Sequence, residues 1–221
     1  MASLQSNIKT ALKKNLAPGL ALQTLALSIA LCYFYVPSTE WIFIALGDLK
    51  SSLSWKYAMI STALFGGIIP FIYLKMSGQI TGNPTKVFLF YALFWAYKGI
   101  EIDYLYALQA QWFGEGNTAP ILAKKVIVDQ FAYGPLWAAP SMAIAFLWME
   151  SNFNLKLWLT RLDRELWFIQ IPTTFVTNCL IWLPAVTIIY AMPTQLQIPL
   201  FNLVLCFFVL LLSAISVRKQ P

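Results

Sequence analysis

The sequence predicts an all-α fold, a multi-pass transmembrane bundle of about six hydrophobic helices with one interfacial amphipathic helix. Three observations carry that prediction. Of 221 residues, 59% are hydrophobic and 11% charged, which excludes an ordinary soluble domain. Apolar segments recur at about the 20 residues a helix needs to cross ~30 Å of hydrocarbon. The bases gather between those segments, where they orient a chain in its membrane.

The six segments are 16–37, 53–74, 87–108, 126–149, 171–192 and 198–217, the last two close enough to form a helical hairpin. Lys9, Lys13 and Lys14 precede the first segment, as they would in a signal peptide. The apolar run is long for that role and no small-residue cleavage site follows, so an uncleaved helix is predicted. The first 39 residues also lack acids and put Leu4, Ile8 and Leu12 on one helical face, as in a mitochondrial presequence, though without arginine.

In the second segment Gly66-Gly67 marks a surface where another helix can come close, and Pro70 a kink. The third carries Lys98, Glu101 and Asp103. At ~100° per residue Lys98 and Glu101 are neighbours that can pair, whereas Asp103 lies on another face with Gly99 and Tyr106. A helix polar on two faces is either enclosed by other helices or leaves the membrane early.

The fourth segment holds the most informative stretch, Lys125-Val-Ile-Val-Asp129-Gln130-Phe-Ala-Tyr-Gly-Pro135. A carboxylate at bilayer depth costs about 2.5–3.5 kcal/mol on insertion scales, so such a group faces protein or water and acts there. Asp129 either pairs with Lys125 four residues back, or lines an aqueous cavity together with Gln130, Asp103 and the hydroxyl of Tyr106. Ala138, Ala139, Ser141 and Ala143 add a second close-approach surface, and Pro135 and Pro140 further kinks. In the fifth segment Asn178 reads as an interhelical hydrogen-bonding residue, and Pro184 as another kink or break.

Between the fourth and fifth segments, residues 155–169 place Leu155, Leu159, Leu162, Leu166 and Ile169 on one helical face, with Trp158 and Trp167 nearby and charges opposite. That pattern suits a helix lying in the membrane interface, or a solvated connecting helix with a core-facing stripe. With the N-terminus inside, that side holds Lys9, Lys13, Lys14, Lys75, Lys86, Lys156, Arg161, Arg164, Arg218 and Lys219. The other side holds Lys50, Lys56, Lys124 and Lys125, so both termini are expected inside.

There is no histidine, which removes the commonest metal ligand and general base. Cys32, Cys179 and Cys206 all fall in apolar segments and read as small apolar side chains. No phosphate-binding glycine loop is present either. The expectation is therefore no enzymatic activity, no metal and no cofactor. The net charge of +6 orients the chain and does not signal nucleic acid. Expected partners are membrane lipids, and further copies of the chain or other membrane proteins.

Several elements in order resemble the family of the 22-kDa peroxisomal membrane protein and its mitochondrial inner-membrane relatives, the Mpv-seventeen family. Lys125-x3-Asp129-Gln130-x4-Pro135 is similar to that family's most recognisable motif, and Gly99-x3-Asp103-x2-Tyr106 falls at the usual distance upstream. Leu162-Asp163, then Thr177-Asn178-x3-Trp182-x-Pro184-Ala185-Val186, then Ser213-x2-Ser216 follow in family order. Asp103 stands where the family has His, Ile100 where it has Pro, and Leu105 and Leu211 where it has Trp, so the chain looks like a distant member.

The likeness runs over about residues 55–219, leaving 1–50 as an extension with one added helix and 51–221 as the family-like domain. It implies a weakly selective pore for small solutes, in a mitochondrial inner or peroxisomal membrane if eukaryotic and a cytoplasmic membrane if bacterial. The expected function is channel-like, with a non-conducting structural or assembly subunit as the alternative.

Overall fold

The long apolar stretches of this chain satisfy their backbone internally, as helix. The computed structural model describes residues 4–217. The side chains of 4–7, 11, 14, 15, 18 and 211–217 lie outside that description, and with them Leu4, Lys14, Leu211, Ser213 and Ser216 of the reading above, as do Arg218 and Lys219.

Helix α1 (Leu4–Tyr35) is followed by α2 (Glu40–Leu53), and the chain bends by 101° between them. Next, α3 (Trp55–Thr62), a π-helical turn (Ala63–Ile68) and α4 (Ile69–Met76) succeed one another without interruption. After α5 (Pro84–Phe113) come α6 (Ala119–Val128), a second π-helical stretch (Asp129–Ala138) and α7 (Ala139–Glu150). Short α8 (Leu155–Thr160) precedes a third π turn (Leu166–Gln170), which runs into α9 (Ile171–Ala191), and α10 (Thr194–Val217) closes the chain.

All six expected segments are helical, and no strand occurs among the described residues. By length and composition two helices, Trp55–Met76 and Leu166–Ala191, can cross a membrane. The bent pair Gly19–Tyr35 and Pro37–Leu53 makes a third if it forms one broken span.

Proline accounts for the π turns. Its ring collides with the carbonyl four residues back and offers no N–H, and a wider turn ahead of it relieves the crowding. Each π segment ends two residues before a proline: Ile68 before Pro70, Ala138 before Pro140, Gln170 before Pro172. Pro135 lies within the second. Pro184 behaves otherwise, because α9 runs through it unbroken. Its missing N–H leaves the Leu180 carbonyl without a helical partner, and Gln23 Nε2 of α1 donates to that oxygen at 3.2 Å.

Glycines set the closest helix approaches. A Cβ on Gly67 would stand 2.7 Å from the Tyr91 carbonyl oxygen, and one on Gly66 2.8 Å from the Trp95 ring, so α5 packs directly on the first π turn. Gly99 goes further, since a Cβ there would overlap the Ala58 carbonyl oxygen and stand 2.8 Å from Thr62 Cβ of α3. On the opposite side α1 packs on α9, burying Leu22 and Ala26 with Ile181 and Ala185. Helix α10 packs against α1, α2, α3, α4, α5 and α9. A polar clip ties it to α3: Thr62 Oγ1 donates to Asn202 Oδ1 at 2.8 Å, and Asn202 Nδ2 to Ser61 Oγ at 2.7 Å. Outward faces remain apolar, as with Leu20, Leu27 and Leu31 of α1.

Two expectations need correction. Residues 155–169 are not one amphipathic helix, because α8 stops at Thr160 and Asp163 Oδ1 accepts the Leu166 N–H at 2.9 Å, starting a new helix. Leu166 is thereby buried at the head of α9, while Leu155 and Leu159 stay exposed on α8. Residues 40–53, of which all but the last lie outside the expected spans, form α2, which folds back so that Gly47 meets Gln195 of α10.

Candidate functional site

Helices α5, α7, α9 and α10 and the second π stretch line a partly open cavity of about 430 Å³. Its position follows from the second π stretch, whose wide turn lets the consecutive residues Asp129 and Gln130 both face inward, 6% and 7% exposed. Three of the four residues proposed as cavity-lining meet there: Tyr106, Asp129 and Gln130. Asp103 does not. Its carboxylate pairs with Lys50 at 3.0 Å, because the fold-back of α2 delivers that lysine to the outer face of α5.

Asp129 is held by neutral donors. Tyr190 Oη donates to Oδ2 at 2.6 Å and Gln130 Nε2 to Oδ1 at 2.8 Å, while Gln109 Nε2 donates to the Tyr190 hydroxyl at 2.8 Å. The expected pairing of Asp129 with Lys125 is absent. Lys125 is 1% exposed and its ammonium lies 5.9 Å from the Tyr190 ring centre, so lysine and carboxylate meet the same tyrosine without meeting each other. With Lys50 in an ion pair and Lys125 buried, two of the four bases counted on the outer side are not loop charges at all.

Lys98 and Glu101 pair at 2.8 Å, as their spacing predicts. Lys98 Nζ also donates to Ser141 Oγ at 2.8 Å, and the Tyr133 hydroxyl donates to Glu101 Oε1. Lys98 is 2% exposed, so this side of α5 is enclosed by its neighbours. Ser141, expected to mark a close helix contact, acts instead as the acceptor for Lys98.

Asn178 lines the cavity and makes no hydrogen bond among the described residues, in contrast to the interhelical role its position suggested. Tyr106 packs edge-on against Tyr190, ring centres 5.0 Å apart. The buried Trp95 Nε1 faces no acceptor. The remaining wall is aromatic, with Tyr91, Phe175, Trp182 and Phe201 prominent.

Tyr190, Gln109 and Tyr133 escaped the sequence reading. Two of them left a trace: Gln109 falls three residues after Tyr106, and Tyr133 continues the four-residue stripe of Lys125 and Asp129. Tyr190, in Ile188-Ile189-Tyr190-Ala191, is indistinguishable by sequence from a tyrosine of the membrane interface.

A second, open groove of about 1150 Å³ runs between α7, α8 and α9, walled by Trp137, Trp148, Trp158 and Trp167. No group of three or more metal-ligating side chains occurs among the described residues. Comparison with family models, curated proteins and solved structures finds no match to this chain.

Proposed function

We propose that this chain is an integral membrane protein that passes small solutes or ions, with the cavity at Tyr106, Asp129 and Gln130 as the chamber that holds them. One observation carries the reading: a chamber of about 430 Å³ with a carboxylate, amides and phenols in its wall stands inside a bundle whose outer faces are apolar. Polar side chains at such depth are costly, and in conducting bundles they face the solute path. The volume falls within the ~300–1,000 Å³ usual for small-molecule sites. The quoted motif elements support the same reading through their resemblance to the Mpv-seventeen family, with its mitochondrial inner or peroxisomal location.

Six spans are part of the proposal. The charges that weaken α5 as a span, Lys98, Glu101 and Asp103, are compensated within the bundle, which removes the objection to placing it in lipid. Single cysteines at Lys75 and Lys156 should then react with an impermeant reagent from one side and a cysteine at Gly116 from the other. Labelling of all three from one side defeats the arrangement.

The decisive experiment is reconstitution. Wild-type protein in planar bilayers should conduct, and Asp129→Asn, which keeps size and one accepting oxygen but removes the charge, should move the reversal potential in a salt gradient toward lower cation preference. The alternative, a lipid-binding structural subunit, is favoured by the tryptophan-walled groove. Sealed membranes with both proteins would select it.

A further inference from the structure

We propose that the cavity recognises a small organic cation, an amine or quaternary ammonium compound that also carries a hydrogen-bond acceptor. The inference rests on the cavity being the seat of the solute, and it adds the chemical class of that solute.

The first argument is charge. Lys98 and Glu101 cancel each other at 2.8 Å, and the lysine's ammonium is further engaged by Ser141. Asp129 has no such partner, since both of its donors, Tyr190 and Gln130, are neutral. Lys125 sits over the ring of Tyr190 and is not among the residues of the cavity wall. The chamber thus presents one carboxylate with no cation bound to it.

The second argument is the wall. Tyr91, Trp95, Tyr106, Tyr133, Phe175 and Trp182 line the same cavity as that carboxylate. Aromatic faces attract ammonium groups, by ~2 kcal/mol or more once water is excluded, and a cage of them fits a cation whose charge is cloaked in methyl or methylene groups. The third argument is the pair of unanswered polar groups. Trp95 Nε1 is buried with no acceptor, and Asn178 has no partner among the described residues. A hydroxyl, ether or carbonyl oxygen on the ligand supplies what Trp95 lacks.

The test uses purified full-length protein in lipid nanodiscs with three probes of one shape: choline, its neutral carbon isostere dimethylbutanol, and the anion dimethylbutanoate. Binding is read by tryptophan fluorescence and by the shift in thermal unfolding. Choline should bind saturably and at least tenfold more tightly than either isostere. Asp129→Asn should erase that preference, whereas Asp103→Asn, outside the cavity, should keep it. Equal or tighter binding of the neutral or anionic probe to wild type overturns the inference, whether or not any variant folds. The pore reading fails separately: a choline preference in membranes that stay sealed leaves the cation site standing, and conduction without the preference removes the site alone.

Discussion

Gly99→Ala should lower the stability of the bundle by about 1–3 kcal/mol, the usual cost of overpacking, and Gly99→Leu should prevent assembly. Ordinarily a helix gains roughly 1 kcal/mol when alanine replaces glycine, so the sign itself is diagnostic. The obstacle at this position is the Ala58 carbonyl oxygen, with Thr62 Cβ at 2.8 Å beside it, and backbone cannot swing aside as a side-chain tip can. The contact seats α3 against α5, and α5 supplies Lys98 and Tyr106 to the cavity. Thermal unfolding in detergent, beside the yield of monodisperse protein, reads the effect. Unchanged stability in Gly99→Leu would mean that these helices do not meet here.

Lys98→Met should cost about 3–5 kcal/mol, because removing one member of a buried pair strands the other charge. Glu101 would keep only the Tyr133 hydroxyl, and its Oε2 already lacks a partner. Adding Glu101→Gln should restore much of the loss, since the stranded charge disappears with it. The double-mutant cycle, measured by unfolding, should therefore show strong coupling. Simple additivity would indicate that water or lipid headgroups solvate Glu101 independently of Lys98.

These two side chains also show where sequence is legible. A pair at three-residue spacing on one helix can be read from periodicity, and Lys98 with Glu101 was. Lys50 and Asp103 lie 53 positions apart, and nothing local in either neighbourhood announces the bend after Tyr35 that joins them. Asp129 stood out because a carboxylate is conspicuous among apolar residues. Its partner Tyr190 did not, because tyrosine is unremarkable in such a segment and the contact spans 61 positions. Helical segments were legible for the same reason that Asp129 was: apolar length is a local property. The break in 155–169 was missed because a leucine stripe continues across Arg161–Asp163 while the backbone does not, Asp163 having been captured as a helix cap.

The hydrogen bond from Gln23 to the Leu180 carbonyl links assembly to the order of synthesis. These residues are 157 positions apart, so the donor leaves the ribosome long before the acceptor exists. Until α1 docks, the Leu180 carbonyl of α9 has no helical donor, because Pro184 lacks the N–H. A helix made earlier thus supplies the donor that one made later lacks. Helix α1, which falls in the extension set apart by the family resemblance, is in this light the piece that completes α9, whose proline site is answered only where the two helices meet.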